Sequence, residues 1–187
     1  MRAEADNNIN DYLDYDDQDR FEFLYGNFSI LASMIENYRS DLIQDVMDMK
    51  AFNHRAANGD TGVRIKISVG LSRPTERKAI TDLTVAKAID DGYLDEAFFD
   101  GTDDREELIR RVTLYHTINK DYDSFCKRIK DLRTEDQRII KPYLMRQKSI
   151  SDIAEEMGVE YRSALKTIGR IKKKLSVKVE ERRRKGA

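Results

Sequence analysis

The chain has 187 residues, enough for one hydrophobic core or two small domains. A charged fraction of 37% exceeds the roughly 25% of an average globular protein, and apolar residues still recur at helical spacing, which favours long solvated helices over disorder. A net charge of -1 would argue against a nucleic-acid partner if it were evenly spread, but the first twenty-five residues carry an excess of about six acidic groups and Thr134–Ala187 an excess of about seven basic ones.

Met1–Asp19 is polar and acidic, with Ile9, Tyr12, Leu13 and Tyr15 as scattered apolar points, and reads as a frayed tail or a short docking helix. Its charge opposes that of the C-terminus, so it could fold back on the basic end and compete with DNA, although a solubilising tail has the same composition. From Phe28 to about Ala56, Leu31, Ile35, Tyr38, Leu42, Val46 and Met49 recur at three and four and predict an amphipathic helix. That stripe needs a cover, either a helix of the same chain or a second copy of the protein. Asn58–Gly62 is a turn, and Val63, Ile65, Ile67 and Val69 then alternate with polar residues as one extended segment.

Pro74 opens the next helix, with Ala79, Ile80, Leu83, Ala86, Ala88 and Ile89 as its buried side and Asp90-Asp91-Gly92 as its end. Thr102 is the expected cap of a second long helix, and Leu108, Val112, Tyr115, Ile118, Tyr122, Phe125, Ile129 and Leu132 form its stripe. The two long helices are expected to pack as an antiparallel pair with the shorter one against them. Thr134-Glu135-Asp136-Gln137 reads as a capping box, which puts a domain boundary near Arg133. Ile139, Ile140, Tyr143 and Leu144 face the following helices, and Pro142 is expected to bend or split the helix that carries them.

The stretch Ser149–Leu175 has the spacing of a helix-turn-helix unit. Ala154 occupies the slot where two helices approach so closely that little more than a methyl fits, and Gly158 stands at the turn, where positive φ is needed. Ile153, Met157, Val159 and Ala164 are the expected apolar contacts, and Ser149 is the expected cap. Ile168, Ile171 and Leu175 continue one buried face, so Tyr161, Arg162, Ser163, Lys166, Thr167 and Arg170 should look outward. Those are side chains that can donate to guanine O6 and N7 or to phosphates. Lys148, Arg146, Lys172, Lys173 and Lys174 are expected to neutralise phosphates, and the basic tail from Ser176 to Ala187 to touch them without sequence preference. A solvated cationic face on two amphipathic helices is the bland alternative, and the number of steric slots filled together favours the DNA-binding unit.

On these residues Lys148–Leu175 resembles the region 4 helices of bacterial sigma-70-type factors. In size and order of segments the chain also resembles the ArpU and RinA families of phage late-operon regulators, and the string Ser72–Ile80 is similar to a segment of the RinA type. The resemblance implies base reading by Tyr161, Arg162 and Lys166, activation of phage late genes in a bacterial cytoplasm, and RNA polymerase as a partner. Tyr161 and Arg162 replace the arginine and glutamate of the sigma pattern, so a different DNA sequence should be read. A sigma-like polymerase subunit and the DNA-recognition (small terminase) subunit of a phage packaging motor are the alternatives. The first lacks a melting helix rich in aromatics and the second should form a ring.

No catalytic, cofactor or metal constellation emerges. His54 and His116 lack Cys or His neighbours at ligand spacing, and Cys126, the only cysteine, excludes an intramolecular disulfide and fits a reducing compartment. The acidic N-terminus does not read as a signal peptide, and no stretch approaches the roughly 18 apolar residues of a membrane span. The expected architecture is all-α: an acidic segment over 1–27, a helical region over 28–132 for oligomerisation through helices 28–56 and 103–132 or for partner binding, and a helix-turn-helix domain with a basic tail over 133–187. The register makes one prediction: Ala154→Leu should overfill the tight contact and cost roughly 1–3 kcal/mol, and an unaltered cooperative unfolding transition would show the register to be wrong.

Overall fold

The computed structural model describes residues 9–57, 74–100, 102 and 104–184, with the backbone alone at 54–57, 74–82, 97 and 177–184. Every regular element among these residues is helical. A 3-10 turn over Ile9–Asp14 precedes α1 (Asp17–Ala57), α2 (Pro74–Asp91), α3 (Glu96–Phe99), α4 (Arg105–Lys130), α5 (Thr134–Leu144), α6 (Ile150–Met157) and α7 (Tyr161–Arg184). The all-α class expected from periodicity is therefore present. The extended segment expected at 63–69 and the last tail residues, 185–187, lie outside the described residues.

Several helix starts differ from expectation for one physical reason, the competition among neighbouring polar side chains to cap. Helix α1 begins at Asp17, well before Phe28, because the Asp16 carboxylate accepts the Asp19 amide at 2.8 Å and Asp17 and Asp19 sit at the positive end of the helix dipole. Of the acidic run that reads as a frayed tail or a short docking helix, Ile9–Asp14 is a 3-10 turn and Asp17 onward is the start of α1. Thr102 does not cap α4: its hydroxyl donates to the Phe99 carbonyl at 2.7 Å, and Asp104 accepts the Glu107 amide at 3.0 Å in its place. The expected capping box at Thr134 is also absent. Arg133 is the cap residue and makes no side-chain capping bond, while the Gln137 side-chain amide donates backwards to the Lys130 and Leu132 carbonyls. Helix α5 is not split by Pro142, which stands in its last turn, where the helix is about to end.

The chain forms two compact units, one from Met1–Ile35 with Thr117–Ala187 and the other from Glu36–His116. This division cuts α1 and α4 within their lengths and not near Arg133. In the 36–116 unit, Tyr38, Leu42, Val46, Val85, Ile89, Phe98, Leu108, Val112, Leu114 and Tyr115 are buried. Leu83, expected on the buried side of α2, is 71% exposed, and Val85 takes that role two residues on. Arg39 grips Asp90 with both ends of its guanidinium at 2.6 Å, which holds the Asp90 carboxyl below the usual carboxylate range. Gly92 ends α2 at φ 67°, and the adjacent His116 ring bonds the Ile89 carbonyl at 2.7 Å.

In the other unit the start of α1 runs antiparallel to the end of α4. Phe21 meets Phe125 edge to face, and Phe28 meets Phe125 and Tyr122 at tilted angles, with ring centroids 5.6 to 5.9 Å apart. Tyr12 is fully buried against Phe23, and its hydroxyl donates to Asp121 at 3.0 Å. Burial, reinforced by the Asp121 charge, pushes the Tyr12 hydroxyl pKa up. The 3-10 turn is therefore a docked element whose anchor is Tyr12. Tyr12→Ala should destabilise the protein by roughly 3–5 kcal/mol and Tyr12→Phe by only about 1 kcal/mol, read as shifts of the urea midpoint at constant slope.

Candidate nucleic-acid interface

Within the unit that contains residues 117–187, α5, α6 and α7 are joined by two turns of the same design. Helix α6 opens with a capping box: the Ser149 hydroxyl accepts the Asp152 amide at 3.2 Å and the Asp152 carboxylate accepts the Ser149 amide at 2.7 Å. That bond keeps the Asp152 carboxyl below its ordinary pKa. The helix closes at Gly158, φ 63° and ψ 34°, with the Val159 amide on the Ala154 carbonyl and the Gly158 amide on that of Glu155, both at 3.0 Å. Those two bonds are a Schellman motif, and the left-handed residue they require is the glycine. The turn after α5 repeats the pattern, with the Gln147 amide on Pro142 at 2.9 Å and the Arg146 amide on Tyr143 at 3.1 Å. There the left-handed position is held by Arg146 at φ 55°, where a side chain costs about 1–2 kcal/mol relative to its relaxed backbone.

Helices α6 and α7 pack against each other, and α5 against α7. Ile140, Leu144, Ile153, Ala154, Ala164, Ile168, Ile171 and Leu175 are buried, with Ala154 6% exposed and Ala164 fully covered. Met157 and Val159 depart from their expected role: each is 38% exposed, because the left-handed turn carries them to the rim and not across the helix pair. Helix α7 also extends beyond Leu175, to Arg184.

Tyr161, Arg162, Ser163, Lys166 and Arg170 are exposed, and Thr167 is half-covered, its hydroxyl donating to the Ser163 carbonyl at 3.0 Å. The cations divide into two groups. No ion pair among the described residues includes Arg162, Lys166 or Lys173. Lys148 pairs with Glu156, and Lys172 pairs with Glu22 while its ammonium lies 4.9 Å from the centre of the Tyr25 ring. Lys174 lies 2.7 Å and Arg170 3.5 Å from Asp136. Lys148, Lys172 and Lys174, expected to neutralise phosphates, each stand in an ion pair within the chain, as does Arg170. The Arg146 guanidinium donates to the Gly26 carbonyl at 3.2 Å.

Asp136 is the residue that pattern reasoning missed. It is 2% exposed and is surrounded by Lys174, Arg170 and, at 3.4 Å, Arg133. The Lys174 hydrogen bond is the main reason its carboxyl is held below the usual range. Arg170 and Lys174 stand four apart and so share a helix face, but nothing in their spacing names an acid 34 and 38 positions earlier as their partner. Among the described residues no group of three His, Cys, Asp or Glu side chains could hold a metal ion, and no helix is long and apolar enough to cross a membrane.

A depressed carboxyl pKa stabilises the fold fully above the unfolded value, about 3.9, and less as the pH falls toward the folded one. Asp136→Asn should therefore cost roughly 1–3 kcal/mol at neutral pH. The variant and parent stability curves should begin to converge below about pH 4 and meet once the pH has fallen through the depressed pKa of the folded parent's carboxyl. Equilibrium urea unfolding across that range measures both effects, and a constant gap down to the most acid pH would remove Asp136 from this role. No family model matches the chain, and neither a curated protein nor a solved structure matches it.

Proposed function

We propose that the chain is a sequence-specific DNA-binding transcriptional regulator in which α6 and α7 act as a helix-turn-helix and the first turns of α7 enter the major groove. The observation that carries this reading is the pairing of a tight, left-handed turn at Gly158 with an outward ridge at Arg162 and Lys166, neither of which is in an ion pair among the described residues. A major groove about 12 Å wide admits one helix, and arginine or lysine presented there donates to guanine O6 and N7. The first turn of α7 carries no acidic residue, so its amide dipole adds to the attraction for phosphates.

The resemblance to sigma-70 region 4 and to the ArpU and RinA regulators extends the proposal to activation of phage late genes in the bacterial cytoplasm, with RNA polymerase as a partner. The helical region ahead of α5 supplies oligomerisation or partner binding in that scheme. The ion pairs of Lys148, Lys172 and Lys174 within the chain make the phosphate contribution smaller than the count of basic residues suggests. The salt dependence of binding should accordingly be shallow for so basic a segment.

Arg162→Ala or Lys166→Ala should reduce discrimination between a selected duplex and random DNA by roughly 1–3 kcal/mol. Titrations of both duplexes at several salt concentrations measure this. Equal losses on the two DNAs would assign the residue to phosphates, and absence of any preferred sequence would end the proposal.

A further inference from the structure

Beside the cationic ridge of α7 lies an exposed apolar one, and its Leu165 is not among the side chains expected to read bases. Tyr161 is 53% and Leu165 46% exposed, although both lie in a helix whose opposite face, Ala164, Ile168, Ile171 and Leu175, is buried. They stand four apart, so they form one ridge, and Arg162 and Lys166 form the ridge next to it. A large apolar side chain left half in water gains when something covers it. Its immediate cationic neighbours select what that can be: a surface that is anionic yet offers apolar groups between its polar ones. The major-groove edge of DNA has that composition, because each thymine presents a methyl group beside the hydrogen-bonding atoms of its neighbours.

The same helix is as informative in what it lacks. From Tyr161 to Lys174 it carries no Asn, Gln, Asp or Glu. The side chains that make paired bonds to adenine, or that accept from the cytosine amino group, are therefore missing from that stretch; Glu160 stands just ahead of the helix, and Asp136, beside Arg170, is buried. Resting on the proposed function, we infer that α7 reads guanine next to thymine on the contacted strand: Arg162 and Lys166 donate to guanine O6 and N7, and Leu165 with the Tyr161 ring packs on thymine methyls.

The full-length chain would be used to select duplexes from a random library, and the selected site remade with deoxyuridine for single thymines or 7-deazaguanine for single guanines. At one or two thymines, loss of the methyl should weaken binding about fourfold. Leu165→Ala should bind more weakly but no longer distinguish uracil from thymine there. The penalty for 7-deazaguanine should vanish in Arg162→Ala or in Lys166→Ala. Leu165 is exposed, so the variant should keep its circular dichroism and melting temperature. Wild-type binding indifferent to every uracil substitution would overturn the inference while leaving DNA binding intact. So would a Leu165→Ala variant that still senses the methyl, or one whose only change is loss of self-association in sedimentation. Failure to enrich any sequence would overturn the DNA-binding reading as well.

Discussion

The close approach of α6 to α7 depends on side chains that are nearly absent. Ala154 offers only a methyl group to the contact, and its carbonyl also receives the Val159 amide that closes the turn. Gly158 adopts the left-handed backbone that this bond demands. With the turn fixed, the phase of α7 is fixed too: Ala164, Ile168, Ile171 and Leu175 face inward, and Arg162 and Lys166 cannot. The steric rule at the turn and the electrostatic character of the exposed ridge are two ends of one constraint.

Charge is organised on a finer scale than the acidic and basic halves of the sequence suggest. Inside the unit that holds both chain ends, Glu22 takes Lys172 and Asp136 takes Lys174, so part of the opposite charge cancels within the fold. The exposed pair at Glu22 contributes little to stability, since solvent and salt screen it. Asp136 differs because its carboxylate is enclosed, and removing its partners would leave a buried charge uncompensated. Along α7, Lys172 and Lys174 are held in ion pairs, whereas no ion pair among the described residues includes Arg162, Lys166 or Lys173.

Arg146 adds a second kind of constraint. A glycine would hold the left-handed position after α5 without steric cost, as Gly158 does after α6, yet an arginine stands there and reaches the Gly26 carbonyl. The backbone strain is thereby coupled to the seating of the first half of α1 beside the α5 turn. Tyr25, whose ring approaches Tyr143 and Lys172, belongs to the same seam.

Periodicity by itself determined the helical class, the stripes of α1 and α4, the place of Pro74 at the start of α2, and the small residues at 154 and 158. Each of these follows from local geometry: 3.6 residues per turn, a fixed proline φ, or the need for a residue without a Cβ. Tertiary structure alone decided the docking of Tyr12 and the enclosure of Asp136. It also decided the loss of Lys172 and Lys174 to internal partners, and the choice among Asp16, Thr102 and Asp104 as caps. In those cases the deciding partner is distant in sequence, as Asp121 is for Tyr12, or several adjacent polar groups compete for one amide. Neither circumstance leaves a period in the chain: burial removes water as the alternative partner of Tyr12 and Asp136, whereas local geometry decides the exposed caps at Asp16 and Asp104.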